Sequence, residues 1–418
     1  MRAMAEPARD AGPRAPSSAA RPGRQDSVGS LTRYLGATSS WFGGWGMQQV
    51  LFPWLVVGVL HASAETTGLT QMSVLLSNLA LVLVGGVVAD RVEPRRLLVG
   101  LHLGSLLPVG LLLAAVLGGW LSLPVLVTCG VLIGVTSAFN VPARDTLLRQ
   151  VAGDDVAELV TRVTLVQFSS QLTGMAIAGL ARFVGAGAVI LVQGMVLAGG
   201  ALFARGLPLR PARPEAMGDL TLREMTAGVR IVWRSELRAV LMLVAAVGLF
   251  FMGSYHVVFP LLVRDVYGGS ILELSLLMGM FPLGTIIGSG VLLRRGGIRR
   301  KGRALVLALT GGGGFLIVGG SGLPYPGVVL ATLGWGLCGA VFMNMSRSLF
   351  QERAPEAERA RVLAVNQLGF LGTAPLGSIL AGFAAAALGP AHTMVVAGLA
   401  MWCVVGLVVW TARVPEMV

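Results

Sequence analysis

A short charged segment between two long apolar stretches is the feature that most restricts how this chain can fold. The segment at 86–98 reads Gly-Val-Val-Ala-Asp-Arg-Val-Glu-Pro-Arg-Arg-Leu-Leu. A loop this short and this charged can join two membrane-spanning helices only where it meets water. A degraded copy, Gly-Val-Leu-Leu-Arg-Arg at 290–295, follows about half a chain later. A charged hinge repeated in two halves is typical of a duplicated helical bundle in a membrane transporter.

Composition places the chain in a lipid environment. Its 418 residues are 55% hydrophobic and only 12% charged, with a mean hydropathy of +0.77, whereas soluble domains carry about 25% charged residues. The apolar stretches have the length of roughly 20 residues that a membrane-spanning helix needs. They lack the alternation over about 10 residues that is typical of membrane β-barrels. We therefore expect an all-α polytopic membrane protein.

The apolar stretches and the charged loops predict twelve transmembrane helices and their orientation. The helices are expected at about residues 31–60, 66–90, 96–118, 121–147, 156–181, 186–206, 237–263, 271–293, 303–321, 326–351, 359–388 and 391–412. All but two of the 32 lysine and arginine residues fall on one side of this arrangement, which the positive-inside rule assigns to the cytoplasm. Both termini are therefore expected in the cytoplasm, and the net charge of +12 requires no nucleic-acid partner.

The chain divides into two similar halves. Motifs at 86–90, 139–144 and 162–163 recur in the same order at 290–294, 342–347 and 361–362. This repeat predicts two six-helix bundles with a central path between them. The expected parts are a disordered cytoplasmic tail at 1–30, bundles at 31–206 and 237–412, a cytoplasmic linker at 207–236 and a cytoplasmic tail at 413–418.

These motifs also carry a family resemblance. Gly-x-x-Ala-Asp-Arg-x-x-x-Arg-Arg at 86–96 resembles the signature between helices 2 and 3 of the major facilitator superfamily. The segments at 137–144, 359–362 and 375–382 are similar to its bacterial branch of siderophore exporters and macrolide-efflux-like proteins. The resemblance covers residues 31–412. It implies the twelve-helix major facilitator fold and secondary active transport by alternating access in a bacterial cytoplasmic membrane, with export as the expected direction.

Two departures from this branch bear on the energy source and the direction of transport. Many members carry Gly-Asp-Trp early in helix 1, where this chain has Gly44-Trp45-Gly46. Proton-driven drug antiporters often show a Gly-Pro signature in helix 5, where this chain has Gly-Met-Ala-Ile-Ala-Gly at 174–179. The first departure argues against strong proton coupling, and the second weakens the assumption of export.

The resemblance implies that helices 1, 4, 7 and 10 line the path, so their polar and aromatic residues are the candidates for cargo contacts. On helix 1, Trp41, Trp45, Gln48 and Phe52 follow a 4, 3, 4 spacing and share one face. Aromatic area with few polar groups and no fixed charge suits a moderately hydrophobic organic molecule, such as a siderophore, a drug or a similar metabolite. Helix packing is the alternative for this stripe. The expected path residues are Trp45, Gln48, Asn140, Tyr255 and Asn344.

A charged gate is expected at the cytoplasmic end of the bundles. Arg144 lies on the same face of helix 4 as Asn140, one turn further toward the cytoplasmic end, and its expected partners are Asp90 and Asp145. A pair that forms in one conformation and breaks in the other can act as a gate, whereas the alternative is an arginine that snorkels to the interface. The expected gate residues are Asp90, Arg91, Arg95, Arg96, Arg144, Asp145, Arg347, Arg359 and Arg361.

His256 and Asp145 are the candidates for coupling transport to protons. Histidine changes charge near neutral pH, although a single histidine among valines and phenylalanines is more often a hydrogen-bonded core residue. Membrane acids usually carry this role, and every acidic residue here falls in a loop or near a helix end. Any proton coupling is therefore expected to be weak.

Other functional classes find little support in the sequence. Lys301 is the single lysine, and the Gly302 that follows it does not fit a phosphate-binding loop. No metal-ligand spacing or nucleophile motif occurs, and the three cysteines sit singly in apolar segments. We expect a monomer that is not an enzyme, needs no cofactor, and has a small-molecule substrate, the bilayer and candidate coupling protons as partners. The alternatives are a transporter-like sensor or scaffold and a lysolipid-type flippase, with an intramembrane enzyme weaker still.

Overall fold

The structure is a computed structural model that describes residues 24–152, 156–207, 222–295, 298–355, 358–412 and 414–416. The side chains of Asp90, Asp145 and Arg359, three predicted gate residues, lie outside the described part. The described residues are almost entirely helical and include no strand, so the predicted all-α class is confirmed.

Twelve long helical segments, together with a shorter helix in the linker between the halves, make up most of the described part of the chain. They are α1 (Arg24–Trp54, continued by a π-helical turn at Leu55–Val59), α2 (Ala64–Arg91), α3 (Pro94–Leu117), α4 (Leu123–Ala152), α5 (Val156–Gly179, followed by a short helix at Ala181–Val184), α6 (Ala186–Arg205), α7 (Leu237–Ala246, continued by π-helical turns at Val247–Phe251 and Ser254–Val258 and by Phe259–Asp265), α8 (Ile271–Arg294), α9 (Lys301–Gly320), α10 (Tyr325–Arg353), α11 (Arg359–Leu388) and α12 (Pro390–Thr411).

These segments agree with the predicted helices to within a few residues at most ends. The exception is α1, which begins at Arg24 and so includes residues assigned above to a disordered tail. Ten of the described helices are long and apolar enough to cross a membrane, judged by length and composition. The chain is a multi-pass membrane protein.

Local sequence signals set several helix ends. Ser63 caps α2 by accepting a hydrogen bond from the backbone N–H of Thr66 at 3.3 Å. Ser270 and Glu273 form a reciprocal capping box at the start of α8, in which the Ser270 backbone N–H donates to the Glu273 carboxylate at 2.7 Å. Such caps satisfy the N–H groups that a helix leaves unpaired at its first turn.

The two halves pack their helices in the same pattern. In the first half α2 packs against α4, α1 against α5 and α3 against α6. The equivalent pairs α8–α10, α7–α11 and α9–α12 pack together in the second half. A Cβ on Gly134 would collide with the Val74 carbonyl, and one on Gly284 with the Leu333 carbonyl. Gly134 and Gly284 belong to Gly-x-x-x-Gly motifs at 130–134 and 284–288. These motifs allow the close approach of α4 to α2 and of α8 to α10.

The segment between the halves contains a helix of its own. The sequence predicted a single long loop at 207–236, but Leu222–Arg234 is helical. A Cβ on Gly228 would lie 3.1 Å from the Val365 side chain of α11, and Val232 is fully buried. This linker helix therefore packs one face on the C-terminal half.

The halves meet where α2 packs against α11 and α5 against α8. We call the end of the bundle with the turns after α2, α4, α6, α8 and α10 the arginine-rich end. The end with the turns after α1, α3, α5, α7, α9 and α11 is the opposite end. These two names are used below to say at which end the halves contact each other.

Candidate functional site

A cavity lies inside the N-terminal half, between α1, α3, α4 and α6. Its volume is about 30 Å³, which is room for about two water molecules. Three residues of the α1 stripe, Trp41, Trp45 and Gln48, line it together with Gly44, whereas Phe52 does not. The lining residues are Trp41, Gly44, Trp45 and Gln48 of α1, Ser105, Pro108 and Val109 of α3, Ile133, Thr136 and Ser137 of α4, and Gln193 and Leu197 of α6.

Gln193 of α6 is a residue of this cavity that sequence reasoning missed. Its Nε2 donates to the Oε1 of Gln48 at 2.7 Å and to the backbone carbonyl of Gly44 at 3.1 Å. Because a carbonyl oxygen only accepts, the Gly44 contact identifies the NH₂ end of the Gln193 amide and thereby also orients Gln48. The sequence feature that could have identified Gln193 is that it is a single amide within the apolar stretch Val-Ile-Leu-Val-Gln-Gly-Met at 189–195.

Several buried polar atoms in this part of the N-terminal half have no hydrogen-bond partner among the described residues. They are Gln48 Nε2, Gln193 Oε1, Ser137 Oγ and Asn140 Nδ2. Gln48, Asn140 and Gln193 are only 6%, 3% and 2% exposed. A buried polar group without a partner costs about 1–3 kcal/mol. The amide pair and its neighbours therefore have hydrogen-bonding capacity to offer to a guest molecule.

The predicted path residues of α7 lie in a packed aromatic cluster. Tyr255 is 7% exposed and donates its hydroxyl to the Met278 carbonyl of α8 at 2.8 Å. Its ring packs within 5.7 Å of Phe281 and 6.3 Å of Trp335, measured between ring centroids. His256, the candidate coupling residue, is also buried, with its Nδ1 3.3 Å from the Met252 carbonyl of its own helix. Both residues belong to a π-helical turn, a local distortion often found at functional sites.

The predicted residues of α10 lie near the arginine-rich end and are exposed. Asn344 donates to the Ala340 carbonyl at 2.8 Å and lies 3.4 Å from the Ser289 hydroxyl of α8. Arg347 is exposed one turn further along. In this conformation the five predicted path residues are therefore not brought together: Trp45 and Gln48 line the cavity, Asn140 is buried in the same half, Tyr255 is in the aromatic cluster, and Asn344 is exposed.

Arg144 is held within the N-terminal half. Its Nη1 donates to the Gln167 side chain of α5 at 3.2 Å, and its guanidinium carbon lies 4.8 Å from the centroid of the Phe42 ring of α1. The Arg144 backbone carbonyl accepts from the Tyr34 hydroxyl at 3.3 Å. These contacts hold an arginine at the arginine-rich end of α4, where the gate was predicted.

The other described gate residues lie at the same end. Arg96 pairs with Glu93 at 3.1 Å but is 78% exposed, so this pair contributes little to stability. Arg91 is exposed, whereas Arg95 and Arg361 are partly buried. The predicted partners Asp90 and Asp145, together with Arg359, cannot be placed because their side chains lie outside the described part.

A set of contacts at the opposite end joins the two halves, and sequence reasoning did not identify it. Arg264 of α7 donates from Nη1 to the carbonyls of Val57 at 2.9 Å and Ala62 at 3.0 Å, which flank the end of α1. Its guanidinium also pairs with the neighbouring Asp265. A charged donor therefore satisfies carbonyls at a helix C-terminus across the interface between the halves.

A second contact joins α5 to α8 at the same end. Ser275 of α8 donates its hydroxyl to the Met175 carbonyl of α5 at 2.6 Å. Arg182, just after α5, lies 3.8 Å from the Glu273 carboxylate. The Glu273 that caps α8 thus also faces the other half.

The close approach of α2 to α11 completes the contact at the opposite end. A Cβ on Gly68 would lie 2.6 Å from the Ser378 carbonyl, and one on Gly382 would lie 2.7 Å from the Ala64 carbonyl. Only glycine at both positions allows the two backbones to approach this closely. The halves are therefore pressed together at the opposite end.

Comparison of the sequence with known proteins shows which family the chain matches. A sequence profile described as Major Facilitator Superfamily matches residues 35–376. The chain is 24% identical over 370 residues to Macrolide efflux protein A of Streptococcus pyogenes, and the match covers 84% of this chain and 89% of that relative.

Solved structures share the fold. A mutant of the nucleoside transporter NupG matches with a TM-score of 0.73 at 13% identity, over 91% of this chain and 99% of that one. A POT family transporter in complex with 5-aminolevulinic acid matches with a TM-score of 0.70 at 14% identity, over 94% and 96%. A bacterial homologue of the iron transporter ferroportin in an inward-facing state matches with a TM-score of 0.68 at 14% identity, over 93% and 99%. At these identities the likeness shows the fold alone, which is the fold expected from the sequence.

Proposed function

The chain belongs to the major facilitator superfamily, and from this premise we propose that it exports a moderately hydrophobic small organic molecule by alternating access. As a member of that superfamily the chain is a transporter and not an enzyme. The finer claims, which are the cargo class, the direction and the coupling, are argued in turn below.

The observation that carries the cargo class is the chemistry of the cavity in the N-terminal half. Trp41 and Trp45 supply aromatic area, and Gln48 and Gln193 supply sparse polar contacts. None of the twelve residues that line the cavity is ionisable. A site with these properties favours an apolar body with a few neutral polar groups over a small, strongly charged metabolite.

The similarity to Macrolide efflux protein A supports export, and it makes macrolides the first compounds to test. Siderophores and other drugs of comparable polarity are the next class. The direction is proposed from this similarity because no sequence feature of the chain determines it independently.

The distribution of contacts between the halves supports the alternating-access part of the proposal. At the opposite end, Arg264, Ser275 and Gly68 make contacts between the halves. Near the arginine-rich end, Asn344 and Arg347 of α10 are exposed. This arrangement fits one of the two states that such a transporter visits, with the path open toward the arginine-rich end.

We place the arginine-rich end and both termini in the cytoplasm of a bacterial inner membrane, following the positive-inside rule. A cysteine introduced at exposed Ser321 should then react with an impermeant reagent added outside intact cells. A cysteine at exposed Ser235 should react only after the membrane is opened. The reverse pattern would overturn the orientation.

The transport proposal is tested with inverted membrane vesicles from cells that produce the full chain. Vesicles that contain the chain should take up a radiolabelled macrolide at a rate that a respiratory substrate changes only modestly, and vesicles that lack the chain should not take it up. A set of siderophores and lysolipids in the same assay separates drug export from lysolipid flipping. Binding of any of these compounds without accumulation would favour a sensor and contradict the proposal. We expect the chain to act as a monomer, which light scattering of the purified protein would check.

A further inference from the structure

The buried amide pair of Gln48 and Gln193 lies inside the N-terminal half, where it joins α1 to α6. Both residues line the cavity, and each has one amide atom without a partner among the described residues. The orientation argued above leaves Gln48 with a free donor, Nε2, and Gln193 with a free acceptor, Oε1. One site therefore offers a donor and an acceptor together.

The hydroxyl groups around the cavity add to this capacity. Ser137 Oγ has no partner in the described part of the chain. Thr136 and Ser105 already donate to carbonyls of their own helices, at 3.1 Å to Ile133 and 2.8 Å to Leu101, so they can only accept further hydrogen bonds. A guest molecule would thus meet one amide donor, one hydroxyl that can donate or accept, and several acceptors.

No charged group neutralises a guest in this cavity. The twelve lining residues include no ionisable side chain. The histidine next to the cavity wall, His102, packs 5.5 Å from the Trp41 ring, and its two nitrogens lie 2.9 Å and 3.3 Å from the carbonyls of Leu98 and Ala37. A charged guest would therefore be costly to bury here, whereas a neutral polar group would not.

We propose that this cavity is a subsite that takes one neutral hydrogen-bonding group of the cargo, a hydroxyl or a primary carboxamide. The inference rests on the proposed function, since it assigns this group to the exported molecule. A cavity with room for about two water molecules admits such a group and not a whole cargo molecule. Trp45, which is partly exposed, borders the subsite and covers the adjoining apolar part of the cargo.

The test uses three probes with one apolar body: naphthalene-2-carboxamide, its N,N-dimethyl derivative and naphthalene-2-carboxylate. The dimethyl derivative can accept but not donate, and the carboxylate is charged. Thermal unfolding of the purified full-length chain reports binding, because a ligand that binds the folded state raises the unfolding temperature. The carboxamide should stabilise at concentrations about ten-fold lower than the dimethyl derivative, since one hydrogen bond is worth about that factor. The carboxylate should not stabilise the chain.

Substitutions assign this preference to the amide pair. Gln193→Leu removes the free acceptor, so it should weaken carboxamide binding about ten-fold and leave the dimethyl derivative unchanged. Gln48→Leu removes the free donor, to which both carbonyls would bind, so it should weaken both probes. Gln171→Leu is the matched control, because Gln171 donates to Gln49 of α1 at 2.6 Å in a similar amide pair that does not line the cavity. This control should bind all three probes like the unmodified chain.

Two outcomes would overturn the subsite. One is equal stabilisation of the unmodified chain by all three probes, a result that needs no variant to fold. The other is that Gln193→Leu behaves like Gln171→Leu, which would make the cavity a hydration site only. The vesicle assay separates this failure from failure of the proposed function. Macrolide accumulation without probe selectivity refutes the subsite alone, whereas probe selectivity without accumulation of any compound refutes the exporter alone.

Discussion

The guanidinium of Arg264 in α7 lies 2.9 Å from the carbonyl oxygen of Val57, which belongs to the last turn of α1 in the other half. The same Nη1 is 3.0 Å from the Ala62 carbonyl. The carbonyls at a helix C-terminus have no partner within the helix and carry partial negative charge. Arg264 therefore ties the end of α1 to α7, in the other half, with charge-assisted hydrogen bonds.

Replacing Arg264 should shift the conformational equilibrium toward opening of the opposite end. Hydrogen bonds from a charged group contribute about 1.5–3 kcal/mol, so Arg264→Ala should change the ratio of the two states about ten-fold or more. Spin labels at Glu65 in α2 and Leu388 in α11 would report the distance between the halves at this end. Arg264→Lys keeps the charge and should give a smaller shift. An unchanged distance distribution in Arg264→Ala would show that the contact does not hold the halves together.

A methyl group at Gly68 should act on the same equilibrium through packing. The Cβ of Gly68→Ala would lie 2.6 Å from the Ser378 carbonyl and 3.1 Å from the Gly382 Cα, both backbone atoms that cannot move aside alone. Overpacking of this kind costs about 1–3 kcal/mol. We expect slower transport and a wider opposite end in the same spin-label measurement.

The matched control for Gly68→Ala is Gly110→Ala in α3, where a Cβ meets nothing within 4 Å. Alanine has a higher helix propensity than glycine, and its methyl group meets no other atom here, so this variant should transport normally. If both variants lost transport equally, the effect would come from glycine itself and not from the contact between α2 and α11.

The fold could be predicted from the sequence because lipid leaves few choices. A chain that crosses a bilayer must satisfy its backbone groups within each helix, so apolar length and loop charge determine the helices. The capping box of Ser270 and Glu273 at the start of α8 is likewise a contact between residues close in sequence. The additional role of Glu273 opposite Arg182 depends on how α5 and α8 pack, which no local pattern encodes.

The candidate site was predicted only in part, for a related reason. Trp41, Trp45 and Gln48 of the α1 stripe line a cavity within the N-terminal half, and their main partner, Gln193, lies on α6, a helix outside the expected path. Tyr255 was predicted to line the path, but the sequence could not show that Phe281 and Trp335 cover its ring. Contacts between helices distant in sequence decide which polar residues of a helix are accessible.

The gate at the arginine-rich end gives a prediction for Asp90. An acid there can pair with Arg144, Arg95 or Arg96 when that end closes, so Asp90→Asn should slow transport strongly while leaving expression and cargo affinity within a few-fold. In the present conformation Arg144 already contacts Gln167 and Phe42, which would keep it positioned while the arginine-rich end is open. Transport rates in vesicles and binding by thermal shift would separate the two effects. Normal transport by Asp90→Asn would make the loop a topogenic signal alone.

Proton coupling should be weak, and His256 is where it can be tested. The His256 ring packs edge-on against Tyr255 with centroids 4.9 Å apart, and its Nδ1 lies 3.3 Å from a carbonyl of its own helix. These contacts are local to α7, and α1 carries Gly44-Trp45-Gly46 where a membrane acid would otherwise stand. In proteoliposomes a pH gradient should therefore change the transport rate only modestly, and His256→Gln should remove even that change, because a glutamine amide keeps the hydrogen-bonding capacity but cannot take up a proton. Asp145→Asn serves as the second variant, since Asp145 is the other candidate. A steep proton flux that is stoichiometric with transport and survives both substitutions would show that another residue couples the two.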